Sequence, residues 1–397
     1  MKETACSDVS GRTRSMTSFI VMDVLEKACD MECKGDHIVH LEVGEPDFDT
    51  PDCVKDAACQ AIRDGFTHYT HSLGILELRE AIARNFGDTY GVAVHPDQIV
   101  VTSGTSPAMF MLFAALLDPG DEVILSDPHY ACYPNFIEFV DGVPVRVPVE
   151  EADAFQFRIE AIREKLTPRT KAVFINSPSN PTGNLLSEER MRQIADLSPY
   201  IVSDEIYHGL VYAGKEHSIL EFTDHAFVLN GFSKLYAMTG LRLGYVIAPR
   251  EFIRPIQKIH QNFFISANAM VQKAGIAALR YAAEDVRRMK AIYDERRRFM
   301  IRRLREMGLG ITVEPTGAFY VFANAKHISM DSYALAFDIL EKARVGVAPG
   351  IDFGRNGEGY LRFSYANSLE NIAEGMNRLE AYLARRAAEG QSGRSHG

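Results

Sequence analysis

Seven short apolar runs recur between residues 98 and 248: Gln98–Thr102, Glu122–Ser126, Pro144–Val149, Ala172–Ser177, Ile201–Glu205, Ala226–Phe232 and Leu243–Ala248. Amphipathic stretches such as Leu76–Phe86 and Pro107–Leu117 lie between several of them. Runs that are apolar throughout, rather than alternating, belong to strands buried on both faces. Together with the intervening helices they predict an α/β layer fold with a mostly parallel sheet. The strand ends of such a sheet face a crevice in which ligands bind. From about residue 285 the pattern changes. A long helix is predicted over Asp285–Met307, followed by strand-like Ala318–Ala323 and Tyr360–Tyr365. We expect a large domain over 46–284, a smaller α+β domain from 16–45 with 285–387, and flexible tails at 1–15 and 388–397.

Charge and composition narrow the function. With 43 basic and 53 acidic residues the formal net charge is -10. That balance gives no general attraction to nucleic acid or to an anionic membrane. The long helix carries Arg296, Arg297, Arg298, Arg302, Arg303 and Arg305, but Asp294, Glu295 and Glu306 interleave, so it reads as a solvated face. The six cysteines, Cys6, Cys29, Cys33, Cys53, Cys59 and Cys132, lack CxxC spacing. Cys29 and Cys33 share a helix face, yet buried or half-buried free thiols in a reducing cytoplasm are expected, and no metal site. No secretory h-region and no stretch of eighteen apolar residues is present, so neither a signal nor a transmembrane helix is expected.

Candidate chemistry gathers just after the apolar runs. Lys234 follows Ser233 after the run ending at Phe232, and Arg242 stands eight residues further on. A lysine at a strand end that enters a crevice loses hydration and becomes a usable nucleophile, and an arginine fork suits phosphate. Alone, Lys234 reads as a surface lysine; its neighbours change that. Thr102-Ser-Gly-Thr-Ser-Pro-Ala108 joins a strand to a helix whose first N–H groups favour an anion. An ordinary helix cap is the plainer reading of that segment by itself. Asn180 in Asn176-Ser-Pro-Ser-Asn-Pro-Thr-Gly183 offers an amide, and Asp204 with Tyr207 places a carboxylate and a phenol three residues apart after a strand.

The joint order of these segments resembles the fold-type I pyridoxal-phosphate enzymes, and class I/II aminotransferases in particular. Gly44-Glu-Pro-Asp-Phe48, Tyr69, Gly74-Ile-Leu-Glu-Leu-Arg-Glu80, Asp127-Pro-His-Tyr130 and Arg362-Phe-Ser364 extend the resemblance from about Val21 to about Leu383. It implies pyridoxal 5'-phosphate as cofactor, carried covalently by Lys234, which also shuttles the proton. It further implies that Asp204 partners the ring nitrogen, Asn180 and Tyr207 bond the ring oxygen, and Tyr130 stacks on the ring. Ser103, Gly104, Thr105, Ser233 and Arg242 match the phosphate cup. Tyr69 matches a tyrosine serving a neighbouring subunit's phosphate, which implies a homodimer with shared sites. Arg362 matches the clamp on the substrate α-carboxylate, with Gly44 and Asn180 nearby. The implied reaction moves an amino group from an amino acid to a 2-oxo acid by a ping-pong route.

Two positions that carry a side-chain-reading cation in aspartate-specific subgroups are here Gln261 and Ser106, and the lid positions are Phe19 and Ile20. A neutral or aromatic donor is therefore expected over aspartate, unless His129 or His260 supplies the charge. A carbon–sulfur β-lyase on the same fold is the alternative. A pyridoxal-phosphate-sensing regulator needs an added DNA-binding domain, for which too few residues precede Val21. A nicotinamide-binding fold is disfavoured because Gly308-Leu-Gly310 meets Val313 where a third glycine belongs.

Overall fold

The structure, a computed structural model, describes residues 9–394. Twelve strands follow in chain order. The first eight are β1 (Val39–His40), β2 (Ile99–Thr102), β3 (Glu122–Asp127), β4 (Val143–Pro148), β5 (Thr170–Asn176), β6 (Tyr200–Asp204), β7 (Ala226–Gly231) and β8 (Gly244–Ile247). The last four are β9 (Tyr320–Asn324), β10 (Val345–Gly346), β11 (Ala348–Pro349) and β12 (Tyr360–Ser364).

The seven apolar runs are the seven strands of one sheet, in the order β2-β8-β7-β6-β5-β3-β4. Its strands are parallel except β8, which runs against both neighbours. Alternate residues of each strand feed different clusters. Ile99, Val101, Ile124, Val173 and Ile175 pack on one face, while Val100, Val123, Leu125, Ala172 and Phe174 pack on the other. Burial on both faces is what made these runs apolar; the edge strand β4, with Val143, Arg146 and Pro148 exposed, is the exception. The fold is thus α/β with a mostly parallel central sheet, as expected.

The C-terminal part builds a three-stranded antiparallel sheet, β11-β12-β9, against the helices Ala283–Glu306, Ser332–Ala343 and Leu369–Arg394. The N-terminal helix Ile20–Glu32 joins this part: Val24, Ala28 and Met31 pack with Ile38 and Leu340. β1 pairs with β10.

Three expectations are corrected. Residues 11–15 form a short helix capped by Ser10, and Arg12 bridges Asp141 at 2.6 Å. The last helix runs to Arg394, propagated by Ala384-Arg-Arg-Ala-Ala-Glu389, so 388–394 is helical. The arginine helix is not a wholly solvated face. Arg296 and Arg297 are buried, Arg296 pairing with Asp47 (2.8 Å) over the Phe48 ring, Arg297 with Asp294 (2.7 Å). Arg298 and Arg302 stay exposed. Of the cysteines, Cys29, Cys33 and Cys59 are exposed rather than buried, Cys53 and Cys132 are half-buried, and Cys6 lies outside the described residues.

Candidate active site

A cavity of about 390 Å3 opens where the parallel strands end. Each strand hands it a side chain. β6 ends in Asp204, β7 leads to Ser233 and Lys234, and β5 leads to Asn180. β3 leads to Tyr130 and Tyr133, and β2 to the helix Thr105–Leu116. Because β8 is reversed, its beginning rather than its end lies at this edge. Gly244 is opposite Gly231 on one side and Thr102 on the other, and Arg242 stands just before it.

Arg242 and Gly104 meet at the mouth of the turn. A Cβ at Gly104, whose φ is +97°, would sit 2.6 Å from Arg242 Nη2. One at Gly244 would sit 2.7 Å from the Gly104 carbonyl carbon. Glycine is needed at both places for approach, and at Gly104 for the backbone as well. The helix Thr105–Leu116 starts with no side-chain cap, which leaves its first N–H groups for an anion. Thr105 and Ser106 line the cavity, with Ser233 and Arg242; Ser103 and Gly104, expected in the same cup, do not line it.

Lys234 donates from Nζ to the Gly44 carbonyl at 2.6 Å. Burial, aided by Arg362 and Arg242, pulls its amine down to about 8 against the pull of Glu45. Asp204 is pushed up to about 6 by burial, opposed by the Tyr133 hydroxyl, which donates to Oδ2 at 2.7 Å. Its Oδ1 accepts from the Ile206 N–H at 3.2 Å. A cation placed beside this carboxylate would keep it ionised. Tyr207 shares a 2.8 Å hydrogen bond with Tyr320, and burial raises both phenols, so both are protonated at neutral pH.

Arg362 is 1% exposed. Its guanidinium lies between the rings of Tyr320 (4.4 Å) and Phe353 (4.8 Å). Nη1 donates to Asn180 Oδ1 at 2.9 Å, Nη2 donates to the Glu42 carbonyl, and buried Nε has no protein partner. A buried arginine with a spare donor lining a cavity is suited to a carboxylate.

The structure brings Lys234, Asp204, Tyr207, Asn180, Tyr130, Thr105, Ser233, Arg242, Gly44, Arg362 and Phe19 to one cavity. Ile20 does not line it; Val21, Met22 and Leu25 of the same helix do. Tyr69 is 80% exposed and outside its own chain's cavity. His129 and His260 lie behind the wall. Burial draws His129 down to about 4 and lowers His260, and their Nδ1 atoms bond the carbonyls of Tyr130 (2.9 Å) and Ser72 (2.6 Å). Both are neutral at physiological pH and supply no cation, which corrects the expectation held open for them. Tyr133, Tyr320, Glu45 and Met109 were missed. A tyrosine three residues after Tyr130, and a hydroxyl inside the apolar run 318–323, were the available signals.

A buried amine, a buried carboxylate and a buried arginine thus meet in one cavity, the first two from the edge of the large sheet and the third from β12. Residues 36–379 match the model for "Aminotransferase class I and II", and the chain belongs to that family: it is a transaminase. It is similar to the (5-formylfuran-3-yl)methyl phosphate transaminase of Methanocaldococcus jannaschii, 42% identical over 94% of this chain and 99% of the relative. It is 41% identical to the aspartate aminotransferase of Pyrococcus horikoshii over 91% and 94% of the two chains. Among solved structures, the Thermus thermophilus aspartate aminotransferase with maleate superposes with a TM-score of 0.91 at 38% identity, covering 95% and 100%.

Proposed function

We propose that this transaminase works with pyridoxal 5'-phosphate by a ping-pong route, as a cytoplasmic homodimer, and prefers a neutral or aromatic amino donor to aspartate. The donor set supports the cofactor. An uncapped helix start with Arg242 and Ser233 suits a phosphate. Asp204 suits a basic ring nitrogen, Tyr207 and Asn180 suit a ring oxygen, Tyr130 a ring face, and Lys234 an aldehyde. On this reading 46–284 is the cofactor-binding domain, and 16–45 with 285–387 the smaller one.

The bound cofactor would supply a ring that accepts the electrons left when the substrate Cα loses its proton. The chain does the rest. Arg362 holds the α-carboxylate through the remaining hydrogens of its Nη groups and fixes the Cα. Lys234 Nζ, with its lowered affinity for protons, takes the proton from Cα and would hand it to the bound cofactor, and the same amine would run the transfer in reverse in the second half-reaction. Asp204 holds a positive charge on the ring nitrogen, and Tyr133 keeps that carboxylate oriented. Tyr69, exposed with Phe66, Ile62 and Tyr281, faces outward for a second copy.

One observation carries the donor preference. Among the described residues that line the cavity the cations are Lys234, Arg242 and Arg362, and each has its task. One side of the wall, Phe19, Val21, Met22, Leu25, Met109 and Phe136, is apolar, and the polar lining beyond it, such as Glu45, Ser106 and Thr239, supplies no cation. A second carboxylate brought there loses hydration without compensation. The test is kcat/KM for aspartate, alanine, methionine and phenylalanine with one acceptor, products identified. Phenylalanine is expected to exceed aspartate. An aspartate advantage above about tenfold overturns the reading. Thiol release from a cystathionine-type substrate in place of a keto-acid product would point to the β-lyase.

A further inference from the structure

The helix Ile20–Glu32 has no cap of its own. The residue before it is Phe19, whose side chain offers no acceptor. First-turn N–H groups require one. It comes from far along the chain: the Ile20 N–H donates to Asp352 Oδ1 at 3.0 Å and the Val21 N–H to Oδ2 at 3.1 Å. Asp352 is 8% exposed. Its negative charge suits the helix start, and both oxygens are used.

Asp352 lies in the turn Gly350–Phe353, and the same turn grips two other walls. Phe353 covers the Arg362 guanidinium, and its carbonyl accepts from the His129 N–H at 2.8 Å, next to Tyr130. The capped helix brings its own wall to this junction. Phe19 meets Tyr130 edge-on at 5.8 Å, and Val21 packs with Phe322, Phe353 and Tyr360. Resting on the donor preference above, we propose that Asp352 is a positioning residue for selectivity: by capping this helix it sets where Phe19, Val21 and Met22 stand against the substrate side chain.

The charged and titratable groups facing Asp352 are Arg362, Asp23 and Cys132. None of them reaches the two N–H groups in its place. Loss of the cap frees the apolar wall while the α-carboxylate clamp and Lys234 stay where they are. A large apolar side chain then loses contacts. Alanine, too short to use the wall, does not.

The test uses the holoenzyme of Asp352→Asn, which keeps the volume and leaves one acceptor. Expected is a fall of about tenfold in kcat/KM for phenylalanine, carried by KM, with kcat and the alanine value within about twofold. Phe19→Ala should also lower the phenylalanine value, and the double variant should be no worse than the more affected single one. Amide hydrogen exchange at residues 20 and 21 should speed up in Asp352→Asn. Equal losses for alanine and phenylalanine, additive penalties, or unchanged exchange overturn the proposal. If the variant does not fold, wild-type exchange corrected for intrinsic rates decides. Burial pushes Asp352 up to about 6 while the bonds from the Ile20 and Val21 N–H groups pull it down, so breaking those bonds with the side chain still buried takes up a proton; protection at residues 20 and 21 should therefore drop between about pH 7.5 and about pH 5, and a flat profile overturns it. A wild-type enzyme with no apolar preference sinks the donor reading, and the exchange result then still decides on the cap.

Discussion

The sheet edge and the apolar wall face the same cavity but are made differently. The edge delivers Asn180, Asp204 and Lys234 within a few residues of successive strand ends, each held by short-range backbone geometry. Most of the wall, Val21, Met22 and Leu25 with Phe19 just before them, comes from a separate helix seated by Asp352 from the other end of the chain. Chemistry is therefore built into the part of the molecule that forms with the sheet. On the function proposed above, selectivity sits in a part docked onto it by a few hydrogen bonds and apolar contacts. Substitutions at the edge should cost every donor alike; those at the wall should change the ranking of donors.

The largest effect should come from Lys234→Ala. Loss of the proton-moving amine is expected to lower turnover by at least about a thousandfold for all donors, and borohydride should no longer fix cofactor to the chain. A residual rate that differs between alanine and phenylalanine would break the comparison. Asp204→Asn should lower kcat by about a hundredfold, again for all donors, with cofactor retained by the phosphate cup, as absorbance and a phosphate count after gel filtration would show. At the wall, Ser106→Lys should raise kcat/KM for aspartate by about tenfold and lower that for phenylalanine, because a cation then faces the side chain. Unchanged ranking would show that side chains are read elsewhere.

The smallest effect is a pH profile. Cofactor loading of the cofactor-free chain requires the free amine of Lys234. Its affinity for protons is lowered, so the free form rises on going up through about pH 8. Loading should quicken about tenfold between pH 7 and pH 9 and then flatten. An unperturbed lysine would give about a hundredfold and no plateau in that range.

The edge was legible in the sequence and the wall only in part, and the reason is physical. A strand buried on both faces writes a continuous apolar run, and the residue after it is then placed to within a turn; Lys234, Asp204 and Asn180 could be found that way. Tyr320 could not, since nothing local separates a packed tyrosine from one whose hydroxyl meets Tyr207. Asp352 resembles any acid in a turn until the helix Ile20–Glu32 is seen against it. His129 and His260 looked like candidate cations because a sequence does not display burial, and burial is what makes them neutral. Arg296 and Arg297 were read as solvated for the same reason: Asp47, the partner of Arg296, is 249 positions away, and Arg297 is buried where it also reaches the Pro315 carbonyl.

The reversed strand β8 governs how the site can be rebuilt. In a wholly parallel sheet, the end of one strand and the start of the next lie on opposite rims, and a crossover of a dozen residues or more separates them. Here a single excursion from Gly231 to Gly244 leaves and returns at the same rim. The amine and the guanidinium thus travel as one cassette, with both ends fixed by neighbouring ladders. Grafting residues 232–243 from a relative should transplant Lys234 and Arg242 together in register, whereas lengthening that excursion would pull them apart while leaving the sheet intact.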